Sequence, residues 1–497
     1  MSRKILASIA LLALSFVTPG QAAPTAALVD IPDTGLGSPN VHWVTTLHTG
    51  SAVGGKFAEI GGKMYYFQTT VRPPFYIPSG LGTGGVVVLD VTNPEQPVPA
   101  GFFPIPVSQN EDVELSANRG ILLYSMDNRA AVSVPLGLAN ACTGVSEDPQ
   151  DRATLCRRVG GALFVIDISM PNAPRLRSVL QYPAIEGFRE DGRPLSGTGH
   201  TASCILDCNY AYVAGGRNRG VYVVDLRDLD APTIMGKIAS PAGADNDVYK
   251  PGVVHDVHSD RFGNVWMAGS GGTAMYAPIT NPMKPKLLAT VTPGDNKATN
   301  QLIHHGVQRF DRSTVIIGEE NFANGCGRSD AGVGAKDEDG RLQVWKIDSK
   351  AKRLRVQDTW DSEIAAGSMP ETLQDTIGIG CSSHWFDFNS NKIVADGWYE
   401  QGLRFLDISN QRKIRQIGYW IGPGTAASQA QFVPGRPDLV YVADYSRGLD
   451  VIRLDDGGRN ARTVTAPLAR EWFRTPGVDF APRLRKDETF GWACART

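Results

Sequence analysis

Several signals are missing from this 497-residue chain, and each absence removes a class of function. Beyond the N-terminus no stretch approaches about 18 continuous apolar residues, so no membrane span is expected. Lys and Arg number 49 against 51 Asp and Glu, and the formal net charge of −2 gives no basic field for nucleic acid or an acidic membrane. There is no Gly-X-Ser-X-Gly elbow, phosphate-cradling loop, Cys-X-X-Cys-His haem site or dinucleotide fingerprint. The acidic stretch 330–339 lacks the spacing of an EF-hand loop. The seven cysteines show no zinc-thiolate spacing, and histidine is scarce, at eight.

What is present begins with an export signal. Residues 1–22 carry a basic start, an apolar run from Ile5 to Val17 and a small-residue site ending at Ala22. The mature chain is therefore expected in the periplasm or outside the cell, where disulfides are permitted. Spacing and proximity suggest Cys142–Cys156, Cys204–Cys208 and Cys326–Cys381, with Cys494 left over, although connectivity does not follow from sequence alone.

Gly at 54 and Pro at 32 punctuate short β-branched and aromatic runs, the pattern of an all-β chain. One unit recurs. GGVVVLDVTNPEQPVPAGFF starts at Gly84, GGALFVIDISMPNAPRLRSVL at Gly160, RGVYVVDLRDLDAPTIMGKI at Arg219 and GLRFLDISNQRKIRQIGYW at Gly402. Each reads as a strand, an Asp-led turn and a second strand, and self-similarity at this period signals stacked supersecondary units. Less regular copies bring the number to seven units of four strands. The last lacks its fourth strand, and the segment from Val41, VHWVTTLHTG, has the look of the missing one.

The motif Gly-X-X-Val-X-Asp-X-Ser/Thr-X-Pro, best seen at 85–94, 161–171, 220–232 and 402–410, resembles the LVIVD-repeat family of exported bacterial β-propellers. The resemblance covers roughly residues 40–460 and implies a seven-bladed β-propeller closed by an N-terminal strand. The expected organisation is a signal peptide at 1–22, the propeller at 38–460 and a C-terminal tail, 461–497, packing on it. Blades four and five depart from the motif: Pro278 replaces the turn Asp in one, and the other lacks Asn-Pro. The family fixes no activity. The repeated Asp90, Asp167, Asp225 and Asp407 read as turn residues that accept backbone N–H groups, not as catalysts.

Within a four-stranded meander, alternate connections lie at opposite ends. Long connections at 69–84, 127–160, 183–199, 240–253, 319–340 and 361–383 all fall at one end, the expected functional face. Six of the eight histidines fall at or near the start of an innermost strand, which begins at that same end. Aligned blades put His200, His255, His305 and His384 at equivalent positions facing the axis, while His258 and His304 are turned away by strand alternation.

Four imidazoles from consecutive blades, with no thiolate, suit a divalent transition metal: Fe, Cu, Zn or Mn. Glu319, Glu320, Asp256 and Asp387 are carboxylates near enough in sequence to ligate, orient or act as bases. Glu319, Asp387 and Arg217 are the catalytic candidates, Arg217 standing for a group of arginines (with Arg72, Arg129, Arg219 and Arg447) able to fork an anionic substrate. Aromatics of the same loops, Phe75, Tyr76, Trp398, Tyr399 and Tyr445, offer stacking surfaces or rim packing.

Two readings follow. In one, the chain is a metal-dependent oxidoreductase, hydrolase or lyase acting on a small, anionic molecule. In the other, each histidine is hydrogen-bonded within its own blade, and the loop face is a non-catalytic recognition module for a protein or glycan. A monomer is expected in both. They separate on whether the ring nitrogens meet at one point.

Overall fold

The computed structural model describes residues 35–70, 84–105, 113–126, 161–183, 189–190, 193–194, 199–215, 220–239, 254–269, 272–291, 303–320, 340–362, 382–399, 401–423 and 425–466. The repeated unit folds as an antiparallel meander of four strands. In one copy Ala202–Ile205, Tyr210–Val213, Val221–Asp225 and Thr233–Ile238 pair in chain order. Similar meanders run from Ala52–Ile60 to Val98–Pro104, from Val113–Ser116 to Arg175–Gln181, and from Phe386–Phe388 to Arg415–Ile421. Two more, starting at Val254–Ser259 and Ile303–Arg309, are joined into an eight-stranded sheet by the single parallel pair Thr290 and Arg353. The last sheet takes Ala427–Val433, Arg436–Asp444 and Gly448–Leu454 from the C-terminal part and Val41–Leu47 from the N-terminal part.

Burial explains the apolar runs. A central strand covered on both faces needs apolar residues at successive positions, unlike a strand with one wet face. Gly85–Asp90 and Ala162–Asp167 are buried along nearly their whole length, whereas the outer Thr233–Ile238 alternates exposed and half-buried residues. Alternate side chains then reach different neighbours. Val86 and Val88 pack with Leu122 and Phe164 of the next sheet, while Val87 and Leu89 pack with Leu439 and Val451 of the last. The other sheets follow in chain order, each packed between two others. Together they make an all-β, propeller-like arrangement.

The turn aspartates sit as their chemistry requires. Asp90, Asp167, Asp225 and Asp407 each accept the backbone N–H two residues on, at 3.0, 2.9, 3.0 and 2.8 Å. Cys204 and Cys208 form a disulfide across the hairpin end, where Leu206, Asp207 and Cys208 all have left-handed φ.

Some features were not anticipated. A two-residue strand, Leu36–Gly37, adds a fifth member to the sheet ending in Arg415–Ile421, and a small ribbon pairs Arg189–Glu190 with Arg193–Pro194. Residues 1–22, Cys142, Cys156, Cys326, Cys381, Cys494 and the tail beyond 466 lie outside the described residues. Among the described residues no helix is long and apolar enough to cross a membrane.

Candidate metal centre

The innermost strands bring the histidines together. His200, His255, His305 and His384 are all fully buried. Their rings run in sequence, with centroids 4.3 Å apart for His200 and His255, 4.8 Å for His255 and His305, and 4.1 Å for His305 and His384. Each comes from a different four-stranded meander, so the contact is created by the arrangement of meanders and not by chain proximity.

The carboxylate they meet is Glu320, at the end of Thr314–Glu320 and 2% exposed. Its Oε2 lies 3.7 Å from His255 Nε2 and 3.6 Å from His305 Nε2, and its Oε1 lies 3.2 Å from His384 Nε2. His255, His305 and Glu320 thus offer ligand atoms that all lie within 4.8 Å of one another. Two of the separations approach the ~3.4 Å edge expected of a tetrahedron with metal–ligand bonds of about 2.1 Å. His255 Nε2 and Glu320 Oε2 have no hydrogen-bond partner among the described residues. Buried polar atoms in folded proteins are normally paired, and these two face each other.

Neighbouring groups set the orientation of the rings. His384 Nδ1–H donates to the Ser428 carbonyl at 2.5 Å, which turns Nε2 towards Glu320. His255 Nδ1 lies 3.3 Å from Asp256 Oδ2, and the same oxygen lies 3.4 Å from His305 Nε2. Burial alone would raise the Asp256 carboxyl, but His305 and His255 outweigh it and bring it down to about 2. Tyr399 OH donates to Glu320 Oε1, and its ring lies 4.7 Å from that of His384. Trp385 closes one side, with its ring centroid 5.4 Å from His305 and 5.0 Å from His384.

Close approach of the innermost strands depends on two glycines. A Cβ on Gly306 would lie 2.9 Å from the His384 carbonyl oxygen, and one on Gly318 would lie 2.7 Å from Ser383 Oγ. No larger residue lets the His384 segment come this near.

The other expected residues are placed differently. Glu319 follows strand alternation away from Glu320, towards Arg341 and Gln343; burial pushes its carboxyl up to about 8 against the pull of Arg341. Asp387 accepts the backbone N–H of Phe388 at 2.8 Å and of Phe432 at 3.0 Å, tying its strand to the next sheet. Burial raises it to about 6 against those bonds. Arg217 lies outside the described residues, as do Arg72, Arg129, Arg219, Phe75 and Tyr76. Arg447 is engaged with Asp450, at 2.7 and 3.0 Å, and with Thr46. Trp398, Tyr399 and Tyr445 are buried and form no open stacking surface.

One nearby residue escaped the sequence reading. Asp396, fully buried in the strand Ile393–Gly397, is raised to about 7 by burial, against the proximity of Ser383 and His384. An Asp inside an otherwise apolar strand, IVADG, was the available signal.

Comparison with known proteins gives one family match and several distant structural likenesses. No curated protein shows significant sequence similarity. Among solved structures, the periplasmic gluconolactonase of Pseudomonas aeruginosa is similar at 12% identity and TM-score 0.46, covering 74% of this chain and 85% of that one. A putative 6-phosphogluconolactonase from Bacteroides fragilis is 9% identical at TM-score 0.48, over 81% and 98%. The WD40 repeats of RRP9 are 8% identical at TM-score 0.48, over 84% and 98%. These likenesses are too distant to speak to activity. The LVIVD repeat family matches residues 198–239, the stretch that holds His200 and the meander from Ala202 to Ile238. The chain carries the LVIVD repeat, of a bacterial β-propeller-like family.

Proposed function

We propose that this chain is an exported, periplasmic or secreted, seven-bladed β-propeller that holds one divalent transition metal at the axis of its loop-bearing face. Residues 38–460 form the propeller, with Val41–Leu47 as the closing strand, and Ala461 and Ala466 pack against it. The seven-blade count is supported by the cyclic order in which the sheets share cores, with the sheet of Gly448–Leu454 packing back on that of Gly85–Asp90.

The observation that carries the metal reading is the convergence of His255 Nε2, His305 Nε2 and the Glu320 carboxylate on one buried point. His384, also facing Glu320, and His200, beside His255, complete the surround. Imidazoles and a carboxylate with no thiolate suit Fe, Cu, Zn or Mn. Such a metal supplies Lewis acidity and lowers the pKa of bound water, as oxidoreductases, hydrolases and lyases use it. The rest belongs to the protein. Ser428 and Asp256 hold the rings in place, Glu320 supplies the compensating charge, and Trp385 and Tyr399 keep bulk water out. The substrate side is a small molecule entering from the loop face.

Elemental analysis of untagged protein purified from the periplasm or medium tests the reading. About one equivalent of Fe, Cu, Zn or Mn per chain is expected. Protein that is folded, metal-free and takes up none of these on reconstitution would leave the recognition module as the better account.

A further inference from the structure

We infer that Tyr399 is a positioning residue for the carboxylate of the metal site. The inference rests on the metal reading above and concerns which group keeps Glu320 aimed at the histidines. Tyr399 comes from the sheet next to the one carrying Glu320, and its phenol donates to Glu320 Oε1. That same oxygen faces His384 Nε2, while Oε2 is left to face His255 and His305. A carboxylate on a two-methylene stem can rotate about its last bond. A hydrogen bond to one oxygen removes that freedom and presents the other.

The backbone of Tyr399 supports this assignment. Its φ is +35°, a left-handed conformation that a bulky L-residue seldom adopts. Such outliers persist where surrounding structure enforces them, and they cluster at functional sites. Here the enforcement is visible. Tyr399 N donates to Ala427 O and Ala427 N donates back to Tyr399 O, both at 2.8 Å, and Gly402 N adds a third bond to Tyr399 O at 3.0 Å. The neighbouring sheet and a tight turn therefore clamp the peptide on both sides. They fix it in the one orientation that lays the ring beside His384, at a centroid distance of 4.7 Å, and brings the hydroxyl to Glu320. A side chain needed only to fill space would not require this backbone.

The test uses Co(II) alone, added to metal-free full-length protein. The Tyr399→Phe variant keeps the ring and loses the hydroxyl. Its Co(II) affinity is expected to fall about 10- to 100-fold, the usual range for losing a partner of a ligand. The visible Co(II) absorption should change with it, as the coordination of Glu320 changes, while thermal stability of the metal-free protein stays close to wild type. A double-variant cycle shows whether Tyr399 acts through the carboxylate. Glu320→Gln should weaken binding by itself, and adding Tyr399→Phe to it should weaken binding no further. Wild-type binding and spectrum in Tyr399→Phe would overturn the assignment and leave the metal site standing, as would an undiminished effect in the Glu320→Gln background. A wild-type protein that takes up no Co(II) would remove both the metal site and the role of Tyr399.

Discussion

The two halves of the ring treat buried polar groups in opposite ways. In the half built from the first and last sheets, buried side chains pair with backbone groups or with one neutral side chain. Gln68 Nε2 donates to Thr49 Oγ1 at 2.6 Å, Thr70 Oγ1 to Ser51 O at 3.0 Å, and Ser51 Oγ to Tyr445 O at 2.6 Å. Gln429, level with Asp256 in strand register, accepts Gly55 N–H at 2.6 Å. In the other half, imidazoles from four meanders and a glutamate turn towards one another instead. Such paired bonds satisfy groups that folding happens to bury. Titratable groups gathered from distant parts of a chain do not serve that purpose, because burying them costs more than an apolar core would. The difference marks one half as scaffold and the other as site.

Removing the site should have the largest effect. A His255→Ala/His305→Ala variant is expected to purify folded, with metal at background where wild type holds about one equivalent. Gln429→Ala should do the reverse, keeping the metal and losing roughly 1 kcal/mol of stability with the bond to Gly55. Metal content and urea denaturation on the same preparations read both. Equal metal loss in both variants would erase the distinction between the halves.

A pH effect sharpens the comparison from the scaffold side. Asp444 accepts Ala426 N–H at 2.9 Å and Ser446 N–H at 2.8 Å, yet burial, with Asp450 nearby, raises its carboxyl from 3.8 to about 6. The folded chain therefore keeps a proton that the unfolded chain has released across that window. The unfolded state binds fewer protons there, so stability falls as pH rises from about 4 to about 6. At 1.36 kcal/mol per unit the loss approaches ~3 kcal/mol. Unfolding curves at intervals across that range should show a shallower slope in Asp444→Asn than in wild type. Identical slopes would remove the assignment.

Gly306→Ala strikes inside the histidine-bearing half. The added Cβ would sit 2.9 Å from the His384 carbonyl oxygen, backbone that cannot swing aside. Overpacking of this kind costs about 1–3 kcal/mol, and the displaced His384 should weaken metal retention as well. A variant with wild-type stability and metal content would show that the strands have slack there.

Much of this was legible from the sequence, and the remainder failed for definite reasons. The Asp-led turns reveal themselves because each needs an oxygen two residues before the N–H it accepts, a purely local requirement. The four aligned histidines show through the repeat. The choice between Glu319 and Glu320 does not, since neighbouring residues on a strand face opposite ways and only the register decides. In Ile303–Arg309 that register shifts between His304 and Val307. A similar shift falls between Val254 and Asp256, beside His255. Bulges break the two-residue period on which the sequence reading relied.

The smallest effect concerns Asp387, a catalytic candidate by sequence that accepts N–H groups from both its own strand and the next sheet. Asn can accept only one of them and would turn its amide towards the other. Asp387→Asn should therefore lose about 1–2 kcal/mol by denaturation and keep its metal in full. Metal content is the more telling of the two measurements. A loss of metal without a loss of stability would move Asp387 from the scaffold into the site, and would extend the functional half one further residue down the axis from His384.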